Sequence, residues 1–286
     1  MMGISERLSG LYNNYMRGPG AWADKIHRLS SKLDNLLGAG HNAFDIAYQS
    51  SVIAGKSAGV FARMRDEMIC VRMTLSATRF VTALEQLFTG KIFFYQNKKD
   101  GTLRRDDDDE HLVVKDFIDI AAAVAFLGGR LLSPFAWTIR VIRKNGGWEQ
   151  LKVHQQRIGI GLTVFFTAGT TFCGIKALKD LITAKEDGRA SYRQLIKEHS
   201  HSTATECGEI YKAVRCAIVN LIGASLDLLA MPWENGVIVL FERTPPEVFL
   251  VGAIFGFLSH TYSLVKDVMT FDLSETIGSP YEDSDD

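Results

Sequence analysis

The stretch RIGIGLTVFFTAGTTFCGIK, residues 157–176, holds eighteen residues without a charge between Arg157 and Lys176. At about 1.5 Å per helical residue these make roughly 27 Å, close to a bilayer hydrocarbon core of roughly 30 Å. A helix this apolar is stable inside a protein core or in lipid, and which of the two applies decides whether the chain works in solution or on a membrane.

Three more apolar stretches accompany it, so that the second half of the chain carries four: about 117–142, 158–175, 213–231 and 248–265. They fall into two pairs. The fourth, VFLVGAIFGFLSHTYSLV, is again eighteen residues without a formal charge, follows the helix-start signal TPPE at 244–247, and carries Gly252 and Gly256 in GxxxG spacing. The first is interrupted by Asp119 and Arg130, and the third by Arg215, Asn220 and Asp227. An ionised group at mid-bilayer costs at least about 2.5 kcal/mol, so these two helices must pair, tilt or lie in the interface. Arg130 is a candidate partner for Asp227. The alternative is a soluble bundle in which the helices around Phe165 and Phe255 are wrapped on all sides by the chain's own side chains.

The front half reads as amphipathic helix. Residues 22–37 place Ile26, Leu29, Leu33, Leu36 and Leu37 at spacings of three and four, with Lys25, Arg28, Lys32 and Asp34 on the polar side, and Gly38 and Gly40 are expected to end the helix. A segment rich in Ala, Ser and Gly at 42–60 leads into a long helix over about 62–95. On it Arg65, Arg72 and Arg79 recur every seven residues, two turns apart and therefore on one face. Such a stripe is either solvated or turned toward lipid headgroups. Six prolines and little strand-like alternation leave the chain all-α. The expected organisation is an N-terminal amphipathic region at 1–96, a charged hinge at 97–111, a hydrophobic region with two helix pairs at 112–266, and an acidic, disordered tail at 267–286.

Composition narrows the function classes. The 286 residues are 47% apolar with a formal net charge of −1, so no basic field favours nucleic acid. Cys70, Cys173, Cys207 and Cys216 lie far apart without a CxxC pair, which fits a reducing compartment better than a disulfide framework. The first twenty residues show no continuous apolar core of a secretory signal, so no cleaved presequence is expected. Neither a phosphate-binding glycine loop nor a hydrolase or metalloprotease motif occurs. The acids Asp106–Glu110 and the loose set His199, His201 and Cys207 are better read as solvated loops than as metal ligands. No cofactor, metal or catalytic residue is therefore expected. Asp119, Arg130, Asp227 and His260 are the intramembrane polar candidates that a transporter or enzyme would have to use, and His260 beside Tyr262 reads first as a buried, hydrogen-bonded histidine. Gly252 and Gly256, in their GxxxG spacing, permit close helix contact within one chain or in a homo-oligomer.

Two family likenesses follow from these patterns. The segment LSATRFVTALEQLFTGKIFF at 75–94, the pair 117–142 and 158–175, and the late run YKAVRCAIVNLIGASLDLLAMP with PPEVFLVGAIFGFLSHTYSLV resemble chlamydial inclusion membrane proteins of the class-I-accessible type. That likeness implies type III delivery into the membrane of a bacterium-containing vacuole, with protein partners on the host cytosolic side. The chain is also similar to peroxisomal membrane elongation proteins of the peroxin-eleven type, through the early amphipathic helix, the LSxxR segment at Leu75, Ser76 and Arg79, and the Gly-rich final helix around Gly252 and Gly256. Both imply a helical protein that decorates or shapes an organelle membrane and enters the lipid bilayer.

Overall fold

A computed structural model describes residues 21–95, 103–105, 111–144, 151–198, 201–234 and 245–275. Among these residues the chain forms seven helices: α1 (Ala21–Ile53), α2 (Gly59–Thr74), α3 (Ser76–Phe88), α4 (Phe117–Lys144), α5 (Leu151–Glu198), α6 (His201–Glu234) and α7 (Pro246–Glu275). The all-α bundle expected from the periodicity is what forms. The only strand-like pairings among the described residues are two antiparallel bridges, Phe94 with Val114 and Arg105 with Leu112, which fold the hinge back on itself.

Two helix boundaries differ from those expected. α1 does not stop at Gly38 and Gly40 but runs on to Ile53, because both glycines are sites of close helix approach rather than of chain reversal. A Cβ on Gly38 would land on the His260 ring, and one on Gly40 would sit 2.7 Å from Met68 Sδ. The helix actually ends at Gly55, whose φ of 67° only glycine adopts without strain. Gly55 N–H donates to Val52 C=O and Lys56 N–H to Ser51 C=O, the paired closing bonds of a Schellman cap. The long helix at 62–95 is in fact two, α2 and α3, separated at Leu75, and Gly90 at φ 73° ends the second.

Helix starts in the second half follow local chemistry. Asp116 caps α4 by accepting the Asp119 N–H at 2.8 Å, and Pro246 occupies the first turn of α7, where its missing N–H is no loss. Within the apolar helices, Ser133, Thr163, Thr171 and Ser225 each donate to the carbonyl four residues back. Their hydroxyls are thereby satisfied within their own helix and carry little cost into an apolar surround.

The helices pack neighbour to neighbour in the order α4, α5, α6, α7, α1, α2, with α3 returning against α4. Close contacts fix each register as antiparallel. Gly128 meets Phe165 and Gly169 meets Phe126 between α4 and α5; Gly174 meets Ala224 and Gly188 meets Ile210 between α5 and α6. Gly252 meets Trp233 and Gly223 meets Tyr262 between α6 and α7; Gly38 meets His260 and Gly256 meets Asn42 between α1 and α7.

Candidate membrane-facing site

Large and small side chains are sorted in the opposite sense to a water-soluble bundle. Among the described residues, every buried hydrophobic side chain except Ile92 and Leu162 is an alanine, including Ala122, Ala125, Ala177, Ala217, Ala224 and Ala253. Many of the large apolar side chains of α4–α7 are exposed. On α5 the exposed set Ile160, Val164, Ile175, Leu178 and Ile182 follows helical spacing, and α7 does the same with Val248, Val251, Ile254, Leu258 and Val265. Ile218, Ile222 and Leu229 form the equivalent stripe on α6, and Phe117, Val124 and Phe135 are exposed on α4.

Four helices are long and apolar enough to cross a membrane, over Phe117–Ala136, Val153–Ala190, Ile210–Trp233 and Pro246–Lys266. Only 17% of the α5 window and 28% of the α7 window is buried, so neither helix is wrapped on all sides, as a soluble core would require. Small residues where helices touch and large apolar residues facing outward are what association in lipid selects, since van der Waals contact between close backbones drives it there. Gly252 and Gly256 take part within this one chain, against Trp233 of α6 and Asn42 of α1. Phe165 covers Gly128 while leaving 37% of its surface exposed, and Phe255 is half-buried.

Asp119, Arg130, Asp227 and His260 each have a side-chain partner, though not the ones expected. Asp119 of α4 accepts from Lys176 of α5 and, at 2.6 Å, from the Tyr95 hydroxyl; Lys179 and Asp116 lie 4.0 Å apart one turn away. That bond to the Asp119 carboxylate, aided by burial, pushes the Tyr95 phenol up from its usual value. Beside it burial holds the Lys115 ammonium below its ordinary range, against the pull of Asp119. The expected partnership of Arg130 with Asp227 does not form. Arg130 Nη1 donates to Gln86 Oε1 at 2.9 Å, linking α4 to α3, whereas Asp227 accepts from Ser259 across α6 and α7.

Arg65, Arg72 and Arg79, the headgroup-facing candidates, are partly buried and each is paired with a carboxylate of α1. Arg65 pairs with Asp45 at 2.9 Å, and Arg72 and Arg79 converge on Asp34, so the stripe is turned onto α1. Burial alone would raise the Asp34 carboxyl, but the two guanidiniums beside it outweigh that and hold it below its ordinary value. Arg72 Nη2 also lies 3.1 Å from His260 Nε2. A guanidinium can only donate, so Nε2 accepts and the ring proton sits on Nδ1, which faces Asn35 Oδ1 at 3.3 Å. His260 is thus buried at a junction of α1, α2 and α7 rather than within the apolar helices alone.

Asp34, Lys176, Tyr95, Gln86 and Ser259 are members of these junctions that sequence patterns did not single out. Lys176 left a signal as the charge that closes an eighteen-residue uncharged run, and Asp34 one as part of the polar side of 22–37, but neither pattern names a partner. Asp106–Glu110 and His199 lie outside the described residues, and no cluster of three or more metal-ligating side chains occurs among the described ones. No protein family, curated protein or solved structure matches the chain. Fold and surface together are those of an all-α protein compatible with a helical membrane protein.

Proposed function

We propose that the chain is a non-enzymatic helical protein of an organelle or pathogen-vacuole membrane, acting in partner binding or membrane remodelling. One observation carries the membrane part: among the described residues the buried hydrophobic side chains are almost all alanine and glycines mark the close helix contacts, while Val, Leu, Ile and Phe form exposed stripes on α4–α7. Each such large side chain gains about 1.5–3 kcal/mol on leaving water, so a hydrated exterior of this kind is costly and a lipid one is favourable. The resemblance of the paired apolar segments and the Ala/Ser/Gly-rich front half to inclusion membrane proteins supports a vacuolar membrane as the site. Asp119, Arg130, Asp227 and His260 are held by other side chains of the bundle, which supports a scaffold in lipid rather than a catalyst.

The test has two stages. A tagged chain expressed in infected or uninfected animal cells should resist alkaline carbonate extraction and localise to an internal membrane; recovery in the soluble fraction would defeat the proposal. Reconstitution of the purified chain into liposomes then separates remodelling from decoration. Tubulation or fission supports the former, and unchanged vesicle shape leaves partner binding, to be read by crosslinking on the cytosolic face.

A further inference from the structure

The position of α1 and α2 against α7 raises a conflict that the membrane reading has to resolve. α1 runs antiparallel along α7, with Asn42 against Gly256 and Gly38 against His260, so Asn42 lies beside the middle of the uncharged stretch 248–265. α2 runs back along α1 at the same depth: Arg65 pairs with Asp45, His41 Nδ1 lies 3.3 Å from Arg65 C=O, and Met68 fills the space beside Gly40. The outer side of α2 there carries exposed Arg63 and Glu67, with the Asp66 side chain 49% exposed. If α7 spans hydrocarbon with α1 and α2 in place, Arg63, Glu67 and the Arg65–Asp66 pair sit near mid-bilayer facing lipid, where a lone ionised group costs at least about 2.5 kcal/mol and an exposed pair still has to be desolvated.

We infer that α1–α3 form a displaceable cover, docked on α7 in the compact form and moved off it when α7 enters the bilayer. The inference rests on the membrane reading above. The distribution of polar contacts allows the cover to leave as a unit. The ion pairs of Asp34 with Arg72 and Arg79, and of Asp45 with Arg65, lie wholly within α1–α3 and survive the movement. Its polar ties to α4 and α7 include the Arg130–Gln86 bond and the contacts of His260 with Arg72 and Asn35. Departure bares the α7 face at Gly256 and His260, where α1 approaches most closely, and places Arg63, Asp66 and Glu67 in water.

Paired cysteines test this in the full chain, with the four native cysteines replaced by alanine. Asn42→Cys with Gly256→Cys reports cover docking, and Trp233→Cys with Gly252→Cys reports the α6–α7 contact that should persist in both forms. After insertion into phosphatidylcholine–phosphatidylserine vesicles, oxidation should crosslink the α6–α7 pair efficiently and the α1–α7 pair about tenfold less, the minor docked population of a shifted equilibrium. A cysteine at Arg63 should then be labelled by a membrane-impermeant maleimide. Equal crosslinking of the two pairs in the bilayer overturns the cover while leaving the membrane reading intact. Loss of the α6–α7 crosslink in the bilayer overturns the two-form scheme, since that contact is common to both. A chain that never associates with the vesicles overturns the membrane reading and the cover together.

Discussion

Lys176 of α5 donates to the carboxylate of Asp119 of α4, so the charge that ends one of the two eighteen-residue uncharged runs is neutralised by the acid that interrupts the first apolar segment. The pair closes the α4–α5 hairpin at one end, with Tyr95 of the preceding bridge as a third member. Asp119→Asn should weaken the hairpin by about 1–3 kcal/mol, the usual effect of removing a charged hydrogen-bond partner. Replacing both residues with leucine and methionine should recover most of that loss, because an apolar pair carries no desolvation cost. Unfolding of the detergent-solubilised protein, followed by circular dichroism, measures both.

Gly38 is the point at which α1 can approach α7 closely enough for His260 to fit. Gly38→Ala places a methyl group on the imidazole ring and should cost about 1–3 kcal/mol of docking by overpacking. Gly59→Ala, whose Cβ meets nothing within 4 Å, should be neutral or slightly stabilising. Hydrogen exchange of α1 in the compact form reads the difference: faster for the first variant and unchanged for the second.

Asp34 makes the cover acid-sensitive in a defined direction. Its carboxyl is held below the ordinary value in the folded chain, so its contribution is present above the unfolded value of about 3.9 and lost as pH falls through the lower folded value. Asp34→Asn should therefore be less stable than the wild type at neutral pH, by on the order of 3 kcal/mol, since two arginines are left without their carboxylate. The gap between the two proteins should shrink as pH drops below about 4. Unfolding midpoints of α1–α3, taken by hydrogen exchange across that range, check the sign.

The outer stripes should be sensitive to charge according to depth. Val164 lies two turns inside the uncharged run between Arg157 and Lys176, and Val164→Arg should raise the cost of insertion by up to about 2.5–3.5 kcal/mol. Leu178→Arg, just past Lys176 on the same exposed face, should cost much less because its side chain can reach the interface. The inserted fraction in a microsomal translation assay separates them.

Much of this architecture is legible in the sequence, and what is hidden has a common cause. Apolar runs and GxxxG spacing are local properties, which is why the four long helices and close helix approach at Gly252 and Gly256 could be anticipated. Partner choice is not local. Asp119 and Lys176 are brought together only by the antiparallel register of α4 and α5, and Arg72 meets Asp34 only because α2 folds back along α1. Gly38 and Gly40 carry the same residue type as a helix stop, yet here the missing Cβ serves a neighbouring helix, a distinction that spacing within one helix does not contain. The arginine repeat at 65, 72 and 79 was readable as a face, but not that the face looks inward.

Spin labels at Val164→Cys and Ile254→Cys in the vesicle-reconstituted, cysteine-free chain probe the outward stripes of α5 and α7 at exposed positions. Lipid contact predicts high collision rates with oxygen and low rates with a water-soluble nickel complex at both positions. Preferential access of the nickel complex, or protection from both reagents, would contradict the assignment of these faces to hydrocarbon.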